Sequence, residues 1–299
     1  MSKDSLVSII MNCHNGEKYL KDSIESILKQ TYKNWEVVFY DNCSTDSSKK
    51  IFLSYNNKKF KYFYSDNFLT LYQARNSAIE KSKGDYIAFL DTDDLWEKDK
   101  LELQMNLFDT PEVGAVFSNA WILKKNTKNK KIHEKKKLPN GYIYNNLIEN
   151  YNVGLVTIVL KKEYYAKLKK KFDERFSIIG DFDLFLRLSK ICKFQSIQKP
   201  LASYRLHGKN LSILNKEKEI EESELWLEEN KSDLEEVQIK NIKKKVYYRK
   251  FINYKIDGKY KECVKILFNS NLNFLSIKNL IIFFTPIFIL KKLFWYHQN

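Results

Sequence analysis

The stretch IAFLDTDDLW, Ile87 to Trp96, sets three carboxylates, Asp91, Asp93 and Asp94, directly behind an apolar run. Carboxylates this close repel one another, so the cluster needs either a positive charge or a local hydrogen-bonding use. Two chemistries answer. Asp is common in turns and at helix N-caps, which makes the triplet an acidic turn leading into the next helix. Alternatively, side chains at i and i+2 of an extended segment face the same way, so Asp91 and Asp93 can share one divalent cation. Short acidic motifs are not specific by themselves, and the elements around them have to decide.

Those elements alternate. LVSIIM reads as a strand, followed by GEKYLKDSIESILKQ, whose Tyr19, Leu20, Ile24, Ile27 and Leu28 recur at helical spacing. WEVVFY, KYFYS, YIAFL and GAVFSNAWIL read as further strands, with helical patterns from Ser44 to Phe52, around LYQARNSAIEKS and at KDKLELQMNLF. This alternation predicts an α/β fold with a mostly parallel sheet covered by helices. Each of the first four strands ends in polar side chains. They are Asn12, His14 and Asn15; Asp41, Asn42 and Ser44; Ser65 and Asp66; and Asp91, Asp93 and Asp94. Open α/β sheets bind ligands outside the carboxyl ends of their strands, so this line-up favours a nucleotide and metal site over unrelated acidic turns. Neither G-x-G-x-x-G nor G-x-x-x-x-G-K-[ST] occurs, so a diphosphate here needs another counter-charge, which a divalent ion on Asp91 and Asp93 supplies.

Composition narrows the class. The chain has 299 residues, 43% hydrophobic, with 20 Phe and 19 Tyr, which excludes a disordered chain. The opening MSKDSLVSIIMNC lacks a secretory pattern, and the four cysteines have no paired spacing, so a reducing cytoplasmic setting is expected without zinc or disulfides. The formal charge is +15, carried by 47 lysines and only five arginines. Nucleic-acid readers favour the arginine fork, so nucleic acid is not the expected partner. The dense run Lys124 to Lys137 reads as a solvated loop or as a surface drawn to anionic lipid or phosphorylated substrates.

Four stretches in order resemble the large family-2 inverting glycosyltransferases, which have the nucleotide-sugar-binding GT-A fold. VSIIMNCHNGEKYLKDSIESILKQTYKNWEVVFYDNCSTD is similar to the family's opening, and ARNSAIEKSKGDYIAFLDTDD to the approach to its DxD motif. IIGDFDLFLRL resembles the segment carrying its catalytic base, and YRLHGKNLS the close of its catalytic domain. The resemblance implies a catalytic domain over 1–211 and a nucleotide-sugar donor, UDP- or dTDP-linked. It also implies Mn²⁺ or Mg²⁺ and a glycan or lipid-linked acceptor of a bacterial-type surface polysaccharide, lipooligosaccharide or glycoprotein glycan. Asn12, His14, Asp41 and Asn42 are then expected at the base and ribose, Asn15 elsewhere on the nucleotide-sugar, Arg75 near the phosphates, and Asp91 and Asp93 on the ribose and the metal. Asp181 is expected to deprotonate the acceptor hydroxyl. The chain departs from the family pattern at His14, Asn42 and Gly180, where Tyr, Asp and Glu are common. A uracil or thymine edge still suits an Asn amide, and a single base remains at Asp181.

Other residues keep two readings. Arg205 suits a phosphate or a structural pair with a carboxylate, and His207 is a third metal ligand, a phosphate contact or a plain hydrogen-bonded residue. Arg187 is expected to cap or pair, and Trp96 and Trp121 to stack on a sugar or be buried. A sugar nucleotidyltransferase and a basic nucleic-acid-binding protein are the competing functions. Residues 212–299 read as a helical appendage, acidic over Lys216 to Glu236 and basic over Lys240 to Lys250. Its tail, about 279–296, is too short an apolar run to span a bilayer. With Lys291, Lys292, Trp295 and Tyr296, the tail either lies in an anionic membrane interface, making the protein peripheral, or packs on its own helices.

Overall fold

The apolar runs LVSIIM, WEVVFY and YIAFL become strands buried on both faces, whereas KYFYS forms a partly exposed strand. In the computed structural model, which describes residues 5–124, 130–268 and 277–290, nine strands form one sheet. They are β1 (Val7–Cys13), β2 (Trp35–Asp41), β3 (Phe60–Tyr64), β4 (Tyr86–Phe89), β5 (Leu95–Trp96), β6 (Val113–Lys124), β7 (Lys130–Ile132), β8 (Val159–Lys161) and β9 (Lys193–Leu206). Their order is β3-β2-β1-β4-β8-β6-β9-β5, with β7 paired to β6. The first four strands pair in parallel, whereas β4–β8, β6–β8, β6–β7 and β5–β9 are antiparallel. The sheet is therefore mixed, and the parallel part is the half made by the alternating first third of the chain. GAVFSNAWIL forms β6, which runs against β8 instead of extending the parallel ladder.

Helices α1 (Glu17–Leu28), α2 (Ser48–Ser54) and α3 (Leu71–Glu80) connect the parallel strands, and α4 (Lys100–Met105), α5 (Tyr144–Glu149), α6 (Lys162–Lys167) and α7 (Gly180–Ser189) follow. On α1, Leu20, Ile24 and Ile27 recur every three or four residues and are fully buried, clustered with Val7, Ile9 and Met11 of β1. On α3, Thr70 caps the first turn and Gln73 reaches back to the Thr70 N–H, a reciprocal box that fixes where the helix begins.

The chain divides into two units, Met1–Arg205 and Leu206–Asn299, slightly earlier than the 211/212 division expected from sequence. The second unit contains α8 (Leu211–Leu214), α9 (Lys216–Asn230), α10 (Glu236–Ile256), α11 (Tyr260–Leu267) and α12 (Ile277–Phe284). Its segregated charges answer one another. Glu219 and Glu224 of the acidic α9 pair with Arg249 and Lys250 of the basic α10 at 2.9 and 2.6 Å. Phe251, Ile252, Cys263, Ile266, Leu267, Ile282 and Leu290 form its apolar centre. The tail's Lys291, Lys292, Trp295 and Tyr296 lie outside the described residues, as do residues 125–129 of the lysine run.

Candidate functional site

Strand register brings the polar ends together. Asn12 and Cys13 of β1 lie beside Tyr40 and Asp41 of β2, Asp41 lies beside Tyr64 of β3, and Ile10 lies beside Phe89 of β4. The Leu90 N–H continues that ladder to the Ile10 carbonyl at 3.1 Å, so Asp91 emerges on the same edge as Asn12 and Asp41. This is the carboxyl edge of the parallel half, where α/β sheets hold ligands.

The acidic turn is held by its backbone. Ser23 of α1 sets its hydroxyl against the Thr92 and Asp94 carbonyls at 2.8 and 2.7 Å, and Arg205 Nε donates to the Asp93 carbonyl at 2.8 Å. The Arg205 N–H donates to Asp94 Oδ1 at 2.9 Å, and its guanidinium pairs with Asp22 at 3.2 Å above the Tyr19 ring. Asp94 is buried, and burial, then Asp93 and Asp91, push its carboxyl well above the usual range. It is the turn's internal strut. Gly16 permits the close approach of α1, because a Cβ there would lie 2.8 Å from Thr92 Oγ1 and 3.0 Å from Cys13 Sγ. The Arg205 guanidinium is thus spent on Asp93 and Asp22, the structural pairing of its two readings.

Asp91 and Asp93 remain partly open at the edge. Among the described residues no three His, Cys, Asp or Glu side chains converge on one point. Two carboxylates on a pinned turn suit a hard divalent ion that takes its other oxygens from water and substrate phosphates, as Mg²⁺ typically does. His207 falls in the second unit, where its ring Nδ1 accepts the Lys209 N–H at 3.3 Å and its own N–H donates to Asn210 at 2.9 Å.

Arg75 joins this turn to the expected base. It is 4% exposed, and its Nη2 donates to both oxygens of Asp91 at 3.0 and 3.1 Å. Its guanidinium lies 5.3 Å from the Tyr72 ring centre and also feels the Asp181 charge. Asp181 opens α7, with Oδ1 accepting the Phe182 N–H at 2.9 Å and its own N–H donating to the Tyr72 hydroxyl at 3.3 Å. Tyr72 donates in turn to the Ile178 carbonyl at 3.0 Å. Asp181 sits deep in the fold but keeps part of its surface open. Burial raises its pKa; Arg75, the Phe182 N–H and Tyr151 oppose this, and the net direction is up. Gly180 lies against the Tyr72 ring, where an added Cβ would come within 2.5 Å, so the ring fills the space a side chain would need. Asp183 is turned to Arg187 at 2.6 Å, the structural pairing expected of that arginine.

The nucleotide-side residues separate into lining and support. The Nδ2 of Asn12 is buried without a hydrogen-bond partner, an expense that a ligand acceptor would remove. His14 Nδ1 meets the Asn42 carbonyl at 2.8 Å, and the ring stands edge-on to Phe68 at 4.7 Å. Asp41 is fully buried, accepting from the Ser44 N–H at 2.8 Å and the Tyr62 hydroxyl at 2.7 Å, so in this structure it supports the loop backbone. Asn15, at φ +55°, likewise takes the Thr45 N–H at 2.8 Å and the Asp46 N–H at 3.3 Å. The Asn42 amide closes on the Leu69 peptide in both directions at 2.9 Å, so a base read by Asn42 has to displace that segment. Trp96 is buried, with its indole N–H on the Val156 carbonyl at 3.0 Å. Sequence reasoning did not single out Tyr72 or Tyr151, because nothing in their spacing signals a place beside Asp181.

A GT-A-type sheet with an acidic turn, an arginine and a helix-borne carboxylate at its carboxyl edge defines a glycosyltransferase. The chain belongs to the family described as glycosyl transferase family 2, whose model matches residues 8–182. This sets aside the nucleotidyltransferase alternative. A relative from Escherichia coli, the UDP-Glc:alpha-D-GlcNAc-diphosphoundecaprenol beta-1,3-glucosyltransferase WfgD, is 33% identical over 73% of this chain and 83% of its own. S. aureus TarS 1-349 in complex with UDP-GlcNAc superposes with a TM-score of 0.65 at 17% identity, covering 92% of this chain and 83% of that one. The mannosyltransferase PcManGT from Pyrobaculum calidifontis in complex with GDP-Man and Mn²⁺ gives 0.60 at 13% identity, covering 97% and 84%. At these identities the two structures share the fold.

Removing the Arg205 side chain takes away one of the acidic turn's anchors. Arg205→Ala is expected to lower unfolding stability by about 1.5–3 kcal/mol, the range for hydrogen bonds to charged groups, in urea denaturation. Unchanged stability would mean that Ser23 and Gly16 hold the turn alone.

Proposed function

We propose that this glycosyltransferase moves a sugar from a UDP- or dTDP-linked donor to a lipid-diphosphate-linked saccharide in bacterial polysaccharide biosynthesis, inverting the anomeric centre. The observation that carries the reading is Arg75, buried between Asp91 of the acidic turn and Asp181 of α7. Its pairing with Asp91 and its electrostatic link to Asp181 support a donor diphosphate and a proton-accepting carboxylate at neighbouring places. The name of the Escherichia coli relative supports a UDP-sugar donor and a diphosphoundecaprenol-linked acceptor, and the UDP-GlcNAc complex supports the same donor class.

In this reading the acceptor O–H gives its proton to Asp181 while its oxygen bonds to the anomeric carbon. The bond from that carbon to the diphosphate breaks with its electron pair on the leaving oxygen. Attack opposite to departure inverts the centre. A carboxylate raised by burial is a better base at neutral pH than a solvated one. Asp91 and Asp93 would hold the Mn²⁺ or Mg²⁺, which supplies counter-charge to the leaving diphosphate when bound. Arg75 exchanges Asp91 for phosphate oxygens as the donor arrives, and Asn12 gives its unpaired N–H to the nucleoside.

Asp181→Asn keeps shape and hydrogen bonding but cannot accept a proton. Transfer from UDP-glucose to a synthetic lipid-diphospho-GlcNAc is expected to fall about 10²- to 10⁴-fold while UDP binding persists. In the wild type the acid limb of kcat/KM is expected above the ordinary aspartate value of about 3.9, with rate lost as pH falls and Asp181 takes up its proton. Transfer surviving within a few-fold would move the base elsewhere.

Asp93→Ala is expected to abolish the Mn²⁺-dependent part of UDP binding, read by calorimetry with and without chelator, and to leave the unfolding midpoint near that of the wild type. Equal binding in chelator would remove the metal from the reading.

We also propose that the C-terminal tail holds the enzyme peripherally on an anionic membrane. No helix among the described residues is long and apolar enough to cross one. Ile282 and Leu290 are buried in the second unit's centre, while Ile277, Ile281, Phe284 and Phe288 recur at helical spacing and are 61–78% exposed. An apolar face of this kind on a lysine-rich chain suits an interfacial segment. Replacing Ile281, Phe284 and Phe288 by Ser is expected to stop co-sedimentation with phosphatidylglycerol vesicles and to leave thermal stability unchanged. Persisting co-sedimentation would place the anchor elsewhere.

A further inference from the structure

Tyr151 follows α5 and stands edge-on to Phe182, with ring centres 5.3 Å apart at 85°. Its hydroxyl is buried and, among the described residues, has no partner in hydrogen-bond geometry. Buried hydroxyls are almost always paired, so an orphan at a functional site marks the place of an absent partner. The neighbouring charge is the Asp181 carboxylate, which acts on the phenol as a nearby acceptor but is not met in full hydrogen-bond geometry. One Asp181 oxygen is occupied by the Phe182 N–H, and Arg75 and Tyr72 are the other polar groups facing this corner. The phenol is no rival base: burial, and then Asp181, hold its proton well above the ordinary tyrosine range. It stays a donor beside an acceptor of protons.

We propose that Tyr151 is a substrate-positioning residue, whose O–H donates to the acceptor hydroxyl that Asp181 deprotonates. The inference rests on Asp181 as the base. The incoming hydroxyl donates its proton to Asp181 and accepts from Tyr151 with one lone pair, which leaves its second lone pair for the anomeric carbon. No bond to Tyr151 forms or breaks, and its proton stays on its own oxygen. The two side chains together fix the direction of the attacking lone pair, which one carboxylate alone leaves free to rotate. No described residue meets the hydroxyl in full hydrogen-bond geometry, which leaves this place open to a substrate hydroxyl.

Tyr151→Phe removes the oxygen and keeps the ring against Phe182. With UDP-glucose and the synthetic lipid-diphospho-GlcNAc, kcat/KM for the acceptor is expected to fall about 3- to 10-fold, chiefly through KM, as for loss of one neutral hydrogen bond. UDP affinity and melting temperature should match the wild type, because no hydrogen bond within the protein is lost. A kcat/KM within experimental error of the wild type overturns the proposal. So does a fall in melting temperature with a parallel loss of UDP binding, which marks a structural hydroxyl. Asp181→Asn assayed alongside separates the two assignments. Full transfer by that variant breaks the base reading, whereas its inactivity beside an unaffected Tyr151→Phe removes only Tyr151.

Discussion

One buried cation between two carboxylates organises this site. Arg75 has almost no solvent exposure, so its charge is tolerable only with anionic partners at hand, and Asp91 and Asp181 are those partners. The pairing couples three elements distant in sequence: the capped first turns of α3, the end of β4 and the first turn of α7. It also sets the electrostatics of the cleft. Arg75 restrains the rise that burial imposes on Asp181, leaving a carboxyl poised higher than a surface aspartate but still ionisable. With two carboxylates near it, Arg75 keeps an anionic neighbour whichever of them is otherwise engaged.

The acidic turn faces the opposite problem, excess negative charge. Asp91, Asp93 and Asp94 cannot hold one another in place, and the fold solves this through the backbone. Three carbonyls of the turn are gripped by Ser23 and Arg205, Asp94 is buried as a strut, and Gly16 lets α1 close against Thr92. Side chains on a backbone gripped this way can meet a ligand without first being ordered by it, which lowers the entropic cost of binding. The same logic separates lining from support across the edge. Asp41 and Asn15 hold loop backbones, and Asn12 keeps an unpaired donor.

The second unit is built from complementary charge and a small apolar centre. Its acidic and basic blocks look like separate surface features along the chain but meet as α9 and α10. Exposed pairs of this kind add little stability individually, so the Phe251–Cys263–Ile282 cluster supplies most of the driving force. Residues 277–290 divide their apolar side chains between that cluster and solvent, so one segment has a packed face and an open one.

The parallel half of the sheet, its helices and the chemistry of its carboxyl edge were legible in the residues, because strand and helix periods and the placement of Asn12, Asp41, Asp91 and Asp93 after apolar runs are local signals. Asp181 and Arg75 were legible only through a family resemblance, since no spacing connects positions so far apart. The structure alone decided that β8 enters the sheet antiparallel between β4 and β6, because strand polarity depends on how a long connection returns to the sheet. It also decided that Arg205 grips a carbonyl, that Asp41 turns inward, and that Tyr72 fills the space beside Gly180. Tyr151 is the clearest case: its residue type and neighbours in sequence are ordinary. Its meaning comes from burial beside a carboxylate thirty residues later in the chain, and burial is a property of the packed fold.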